Sequence, residues 1–316
     1  MPINADKPQL WLIDIQASVD LFNAWFMKFA PKAYRDNRAK ATKHVERALL
    51  LTNDLTEITP EALRDHPQIL PALRMSTCPP LARDRLIGLA SVSKALVNSL
   101  ERGTIPLRMA PPMLDKNLEK IGIIITRMLD ADIFPWLGTT KAPSKAERHR
   151  ASTVVADRLC GAVSDPIIRN AHEKRQLALI GAYLKGREYV QRPHPSNKPL
   201  TQMEEGTFAF RMNVVVGDVL KINIPVDVVI QPKIPRRTRL PILIEAKSAG
   251  DFTNVNKRRK EEATKMHQLR NTYGKDIEFL LFLCGYFDSG YLGYEAAEGI
   301  DWVWEHRIED LDKLGL

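Results

Sequence analysis

The sequence has few cysteines and no apolar run long enough for a membrane span. Its 316 residues include three cysteines, Cys78, Cys160 and Cys284, without CxxC or Cys/His spacing, so neither a zinc site nor a disulfide framework is indicated. No segment approaches the ~18 consecutive apolar residues that cross a bilayer, and the N-terminus has no signal-peptide pattern. We therefore expect a soluble, cytoplasmic protein without a membrane partner.

Nucleotide-binding glycine motifs and catalytic histidine motifs are also absent. Neither GxGxxG nor GxxxxGK[ST] occurs, which argues against a dinucleotide cofactor and against nucleotide-driven translocation. The seven histidines form no HxH, HExxH or HNH-like arrangement, and none is assigned a role. No cofactor other than a metal ion is predicted.

The chain carries an excess of positive charge, and most of it lies in one segment. The formal net charge is +8. Residues 232–270 contain eleven lysines and arginines and four acidic residues, a balance of 11 − 4 = +7. Positive charge concentrated in this way favours a polyanionic partner.

The chain is long enough for one large domain or two smaller ones. Residues 1–138 are predicted to form a helical region with proline-marked breaks; within it, Thr59 is a helix N-cap and Pro60 occupies the first helical position. The polar, basic segment 139–150 is predicted to be a linker or surface loop. The remainder, 151–316, begins as helix, with an interruption near 164–166, and then becomes a mixed α/β core.

Two alternating segments after Thr207 predict a β-hairpin. They cover residues 207–216 and 219–231 and are joined by the turn sequence VGDV. In the second segment five apolar residues have the same parity, so we expect them on one face of the sheet and Asp227 on the other. These residues are Ile222, Ile224, Val226, Val228 and Ile230.

The segment LPILIEAK predicts a further strand whose end is charged. Glu245 and Lys247 face one side of this strand, and Ala246 faces the other together with the alternate isoleucines. A helix from about Asn254 follows, then a buried strand in IEFLLFLCGYF, and WVWEHRI (302–308) predicts a last strand.

Asp227, Glu245 and Lys247 form the candidate catalytic set. Two carboxylates on neighbouring strands, with the backbone carbonyl of Ala246, offer the oxygen ligands that Mg²⁺ prefers and leave positions for water and a phosphate oxygen. Such an ion lowers the pKa of water and neutralises charge that develops at phosphorus, while Lys247 positions the water. The residues therefore predict metal-dependent phosphodiester chemistry.

Asp227 with Glu245-x-Lys247 resembles the core motif of the PD-(D/E)xK nucleases. The segment GDFTNVNKRRKEEATK is similar to the helix that follows the catalytic strand in type II restriction endonucleases. ASVDLFNAWFMKFAPKAYR and MSTCPPLARDRLIGLA are similar to the XamI-type restriction endonuclease family. The resemblance implies that residues 151–316 form a restriction-endonuclease-like α/β (α+β) core with a mixed central sheet. An N-terminal helical region precedes this core.

The resemblance also implies an activity. It is Mg²⁺-dependent cleavage of double-stranded DNA at a short palindromic site, by a homodimer in the bacterial cytoplasm, with a cognate DNA methyltransferase as a functional but not physical partner. By analogy Asp227, Glu245 and the Ala246 carbonyl hold the metal, and Lys247 is the catalytic lysine. The resemblance also suggests a target sequence related to GTCGAC.

Several other carboxylates remain candidates for this site. The family's Pro-Asp pair is replaced here by Pro225-Val226-Asp227, so Asp218 in the preceding turn is a rival for the first acid. A permuted site would use Glu261 or Glu262. Some nucleases of this kind add a carboxylate from a helix before the sheet, for which the candidates are Glu173, Glu188, Glu204 and Glu205.

Two basic segments are predicted to contact DNA. In PKIPRRTR the arginines can read guanine or contact phosphates. In the helix after the catalytic strand, cations and the helix N-terminus can converge on the phosphate backbone. The predicted DNA-binding residues are Arg236, Arg237, Arg239, Asn254, Asn256, Lys257, Arg258, Arg259 and Lys260.

Two functions other than restriction are compatible with the residues alone. A repair or recombination nuclease, such as a junction resolvase, shares the metal site but recognises DNA shape. A catalytically inactive DNA-binding protein keeps the nuclease-like core without cleavage.

Overall fold

A computed structural model describes residues 2–195, 198–217, 220–234, 238–252 and 255–316, without the side chains of 162–165 and 255–258. Four residues singled out above lie outside the described residues: Asp218, Arg236, Arg237 and Asn254. The side chains of three more lie outside them as well: Asn256, Lys257 and Arg258.

The described helices and strands follow one another as α1 (Pro8–Leu51), α2 (Pro60–Asp65), α3 (Leu70–Met75), α4 (Arg83–Ala90), α5 (Lys94–Glu101), α6 (Pro111–Met128), α7 (Lys145–Gly186), β1 (Val190–Gln191), β2 (Thr207–Val216), β3 (Ile222–Gln231), β4 (Ile242–Ala249), α8 (Val255–Tyr273), β5 (Glu278–Gly285), α9 (Ser289–Ala297) and β6 (Asp301–Trp304). Short 3-10 helices lie at Pro67–Ile69 and Leu200–Gln202, and a longer one covers Glu305–Leu314. No helix within these described ranges is long and apolar enough to cross a membrane.

The chain divides into two compact units. The helical unit is Ala30–Ile167, and the sheet unit combines Met1–Phe29 with Ile168–Leu316. This division differs from the predicted one at 138 and 150, because α1 and α7 each contribute residues to both units. Part of the predicted linker, 145–150, is helical.

The early start of α7 has a local cause. The backbone N–H of Ser144 donates to the Glu147 carboxylate at 2.8 Å, and the Glu147 N–H donates to Ser144 Oγ at 3.2 Å. This reciprocal pair is a capping box, which satisfies N–H groups at a helix start. The chain also stays helical through 164–166, contrary to the predicted interruption, with Pro166 inside α7. One proline removes only one backbone hydrogen bond from a long helix.

The helical unit has its own apolar core. Thr59 Oγ1 accepts a hydrogen bond from the Ala62 N–H at 3.2 Å, and Pro60 opens α2, which confirms the predicted helix start. Ser93 caps α5 in the same way. The core of this unit contains the fully buried residues Leu63, Leu73, Leu86, Val97, Leu118 and Ile121.

In the sheet unit the six strands form one mixed sheet in the order β1-β2-β3-β4-β5-β6. Pairing is parallel for β1 with β2, antiparallel from β2 through β4, and parallel from β4 through β6. Residues of α8 and α9 belong to the apolar cluster on one face, and residues of α7 belong to the cluster on the other. The predicted restriction-endonuclease-like α/β class with a mixed central sheet is confirmed.

The first 29 residues contribute directly to this unit. The Asp301 carboxylate, at the start of β6, accepts hydrogen bonds from the backbone N–H groups of Asn4 and Ala5, both at 3.0 Å. The Trp11 ring lies edge-on to Trp302, with 5.6 Å between centroids. The N-terminus therefore packs with a strand almost 300 positions away in sequence, which local patterns do not reveal.

The side chains of β3 do not all alternate as predicted. Ile224 and Val226 pack into the α8 cluster, whereas Val228 and Ile230 pack into the α7 cluster. The expectation of one shared face for 222–230 was therefore wrong. The change of face occurs at Asp227. On either side of it Val228 pairs with Phe210 and Val226 pairs with Met212 of β2, and Arg211, between these two partners, has a positive φ.

The last predicted strand is shorter than expected. β6 ends at Trp304, and residues 305–308 begin the 3-10 helix instead of continuing the strand. Ile308 and Leu311 are both buried, three positions apart, which is the periodicity of a 3-10 helix rather than of a strand.

Candidate active site

Asp227 lies where β3 and β4 separate. The described ladder between these strands ends at the pair Val228 and Ile244. Beyond that pair, Asp227 Oδ2 accepts a hydrogen bond from the backbone N–H of Ala246 at 2.8 Å. The carboxylate thus takes the place of a backbone acceptor. Because the N–H and C=O of one residue in an extended strand point to the same side, the Ala246 carbonyl also faces β3.

Glu245 stands beside Asp227 on the next strand and has two lysine partners. Its Oε1 lies 2.7 Å from Lys265 Nζ and 3.2 Å from Lys247 Nζ. Its Oε2 is buried and has no hydrogen-bond partner among the described residues. Only 7% of Glu245 is exposed, so this oxygen has lost water without gaining a partner.

These oxygens fit a divalent cation. Burial, and then the charge of Glu245, raise the pKa of Asp227 to about 6. Two carboxylates that oppose each other's ionisation are stabilised by a cation between them. The free Oε2 of Glu245, the Asp227 carboxylate and the Ala246 carbonyl are all oxygen donors, the ligand type that Mg²⁺ binds.

Glu262 is a member of this cluster that the sequence analysis named only as an alternative. It lies on α8, is completely buried, and places Oε1 3.3 Å from Lys247 Nζ. Its Oε2 accepts a hydrogen bond from the Tyr291 hydroxyl at 2.7 Å. The neighbouring Glu261 is exposed. Lys247 therefore lies between two carboxylates, of Glu245 and Glu262.

The position of Glu262 in the sequence predicts its burial. Glu262 stands four positions before Met266 and seven before Leu269, and both of these residues are buried on the core face of α8. A carboxylate on the apolar stripe of a helix is expected to have a buried partner. Lys265 carries no comparable signal, because its neighbours do not distinguish it from the other cations of the segment.

Glu173 on α7 lies near the site. The charge of Glu173 raises the pKa of Asp227, as a smaller cause than burial and the charge of Glu245. Its Oε1 accepts a hydrogen bond from the Arg211 guanidinium at 2.8 Å. Arg211 has a φ of +51°, a left-handed conformation that is uncommon for a residue with a side chain, at the point in β2 opposite the change of face in β3.

The other helix and loop glutamates named above pair elsewhere. Glu188 lies 3.2 Å from Lys233, Glu204 lies 2.5 Å from Arg192, and Glu205 lies 3.6 Å from Arg239. These are exposed ion pairs of a common surface type.

The predicted DNA-binding residues divide into two groups. Arg259 places its guanidinium 4.9 Å from the centre of the Tyr294 ring, so part of it packs inside the unit. Arg239 is exposed apart from its long contact with Glu205. Lys260 is exposed and forms no ion pair with any described side chain.

Two further cations of the basic segment have internal partners. Lys265 donates to Glu245 and, at 3.2 Å, to the carbonyl of Pro225. Arg270 donates to the carbonyls of Glu298 and Gly299 just after α9, at 2.9 and 3.1 Å. Part of the positive charge of this segment is therefore used within the protein, by Lys265 at the site and by Arg270 in the fold.

A cleft of about 700 Å³ runs along β2 and carries cations that the sequence analysis did not single out. Lys198, Arg211 and Lys221 line it together with His194, and no carboxylate is among those of its lining residues that the structure describes. Such a lining is suited to a phosphate backbone.

A second group of metal-ligand side chains lies in the core, formed by His172, Cys284 and Glu305. All three are buried, and their ligand atoms lie within 4.8 Å of one another. However, Arg175 places Nη2 2.5 Å from Glu305 Oε1 and Nη1 3.3 Å from His172 Nε2. Because this guanidinium already supplies the positive charge, we interpret the cluster as a structural network.

Comparison of the sequence with known proteins identifies its family. The XamI restriction endonuclease family matches residues 53–304, a range that includes Asp227, Glu245 and Lys247. The chain is also 58% identical, over 313 residues and 99% of each chain, to the type II restriction enzyme SalI of Streptomyces albus G. No solved structure matches the chain. The resemblance noted in the sequence is thereby confirmed, and the protein belongs to the XamI restriction endonuclease family.

Proposed function

We propose that Asp227, Glu245 and Lys247 form the catalytic centre with which this type II restriction endonuclease hydrolyses phosphodiester bonds in double-stranded DNA. The observation that carries the proposal is the free, buried Oε2 of Glu245 beside Asp227, with Lys247 on the same carboxylate. A surface ion pair has no reason to leave a carboxylate oxygen buried and unpartnered.

Each residue has a distinct role in this centre. Asp227, Glu245 and the Ala246 carbonyl would hold Mg²⁺, which when bound supplies Lewis acidity and positive charge toward the scissile phosphate. The Ala246 N–H orients the Asp227 carboxylate at 2.8 Å. Lys247 donates hydrogen bonds to the attacking water and offsets negative charge as the phosphorus–oxygen bond forms.

We further propose the assembly and setting that the family resemblance suggests. A palindromic target fits a two-fold symmetric homodimer, since each protomer then meets the same half-site. A cognate DNA methyltransferase protects the host sites without binding the nuclease, and both act in the bacterial cytoplasm. The target is expected to be related to GTCGAC.

A digest of long DNA tests the function. Purified protein is incubated with DNA of known sequence in Mg²⁺, with EDTA as the control. Discrete fragments that map to one short palindrome, related to GTCGAC, support the proposal. Structure-selective nicking would instead indicate a repair nuclease, and a gel shift without cleavage would indicate an inactive DNA-binding protein.

Lys260 is expected to contact the DNA backbone. Lys260→Glu should weaken the binding of every duplex sequence by about 3- to 10-fold and reduce the slope of log K against log salt by about 1, because one phosphate contact is lost. Fluorescence anisotropy in EDTA at several salt concentrations measures both quantities.

Lys275→Glu is the matched control for this prediction. Lys275 is exposed in the turn after α8, and the same change of charge there should leave the slope unaltered. An effect of Lys260→Glu limited to the target sequence would show that Lys260 reads bases, and an unchanged slope would remove it from the interface.

A further inference from the structure

The burial of Glu262 is selective. The exposed faces of α8 carry charged residues, but Glu262 is 0% exposed and its two oxygens are directed at Lys247 and at the Tyr291 hydroxyl. A carboxylate removed from water costs several kcal/mol unless it is paired and hydrogen-bonded. The sequence therefore retains a costly charge whose ion-pair partner is the proposed catalytic lysine.

A second buried carboxyl group lies beside Glu262. Glu295 on α9 is also 0% exposed and interacts with Glu262. Burial, and then the charge of Glu262, raise the pKa of Glu295 above its ordinary value. Of these two carboxyl groups, that of Glu262 is the one that faces Lys247.

The two lysines on Glu245 differ in what else they contact. Lys265 has, besides Glu245, only the Pro225 carbonyl at 3.2 Å among its described polar contacts. Lys247 has a second carboxylate, of Glu262, at 3.3 Å. A divalent cation on Glu245 repels both ammonium groups, and the ammonium group with a second carboxylate is the one that remains in place.

We propose that Glu262 is a positioning residue that holds the Lys247 ammonium group in the active site when a divalent cation occupies Glu245. Without Glu262, Glu245 is the one carboxylate partner that Lys247 keeps among the described side chains, and Lys247 competes with the cation for it. With Glu262, both the cation and the lysine are retained. This inference rests on the proposed function, since it takes Lys247 to be the catalytic lysine.

Glu262→Gln in the full-length protein tests the inference. We expect the single-turnover cleavage rate at saturating Mg²⁺ to fall about 10- to 100-fold, because the Lys247 ammonium group loses the buried ion pair that holds it. The dissociation constant for the duplex in EDTA should not change. Glu261→Gln, on the exposed neighbour, and Glu295→Gln, which imitates a neutral acid, are matched controls that should cleave at the wild-type rate.

Mn²⁺ binding to the DNA-free protein separates positioning from direct metal ligation. By electron paramagnetic resonance titration, Glu262→Gln should weaken Mn²⁺ binding about 3- to 10-fold, because Lys247 returns to Glu245. In a Lys247→Ala background the same substitution should have no effect. An equal loss in both backgrounds would make Glu262 a metal ligand and overturn the inference.

Two further results keep the test decisive. If Glu262→Gln does not fold, Tyr291→Phe removes the hydrogen bond to Oε2 and should lower the cleavage rate in the same direction by a smaller factor. A wild-type cleavage rate in folded Glu262→Gln at every Mg²⁺ concentration contradicts the positioning role. Absence of cleavage by the wild-type protein contradicts the proposed function instead.

Discussion

Replacement of Lys247 by alanine is expected to lower the single-turnover cleavage rate at saturating Mg²⁺ by about 10³-fold or more, because the attacking water loses its hydrogen-bond donor and the transition state loses a positive charge. DNA affinity in EDTA should stay near the wild-type value, since Lys247 is largely buried beneath its carboxylate partners. Quenched-flow cleavage and anisotropy measure the two effects.

The substitution also has a structural effect that needs its own control. Lys247→Ala leaves the Glu262 carboxylate buried without its ion-pair partner, which typically costs about 3 to 5 kcal/mol. The double variant Lys247→Ala with Glu262→Gln removes that charge, and we expect it to regain stability without regaining cleavage. Lys265→Ala is the comparison at the same carboxylate and should lose much less activity. Equal losses for the two lysines would contradict the distinct role of Lys247.

Asp227→Asn is expected to abolish cleavage while making the metal-free protein more stable at pH 8. Asparagine keeps an oxygen to accept the Ala246 N–H but lacks the charge that a divalent cation requires. The gain in the free energy of unfolding should be on the order of 1 kcal/mol, after allowing for the partial exposure of the carboxyl group.

The sign of this effect follows from the pKa of Asp227. The folded-state pKa is raised from 3.8 to about 6, first by burial and then by Glu245. The neutral acid is therefore favoured in the folded state, and the associated stability is complete below pH 3.8 and lost as the pH rises through about 6. The stability advantage of Asp227→Asn should grow over the same interval.

Urea unfolding in EDTA at pH 4 and pH 8, with and without Mg²⁺, checks the prediction. Addition of Mg²⁺ should stabilise the wild-type protein but not Asp227→Asn, because only the former binds the ion tightly. A variant that is less stable than the wild type at pH 8, or that still cleaves, would remove Asp227 from the site.

The strand that carries Glu245 and Lys247 could be predicted because its information is local. Alternation of apolar and polar residues places Ile242 and Ile244 on one face and Leu243 on the other, and the apolar clusters confirm this assignment. The spacing of two between the glutamate and the lysine then fixes their common side. The mixed pairing of the sheet, by contrast, was implied by the family resemblance and not by this alternation.

The change of face in β3 could not be predicted from the same alternation. The apolar residues from Ile222 to Ile230 keep one parity in sequence, yet the backbone turns over at Asp227. Opposite this point Arg211 adopts a positive φ, a conformation that depends on pairing between strands rather than on the residue type. The register between β2 and β3 is the same on both sides of this point, and the Asp227 side chain accepts its hydrogen bond from Ala246 of β4.

The partners of Lys247 depend on long-range packing. Glu262 and Tyr291 come from two helices that cover the sheet, and the sequence indicates only that Glu262 lies on an apolar stripe. The docking of Asn4 and Ala5 on Asp301 likewise joins the two ends of the chain. Contacts of this kind leave no periodicity in a single sequence.

The location of a bound divalent ion tests the catalytic centre most directly. A crystal of the protein soaked in Mn²⁺ is measured at the manganese absorption edge. The account predicts an anomalous peak about 2.0 to 2.6 Å from carboxylate oxygens of Asp227 and Glu245 and from the Ala246 carbonyl oxygen. A peak at His172, Cys284 and Glu305, or the absence of any peak beside Glu245, would contradict it.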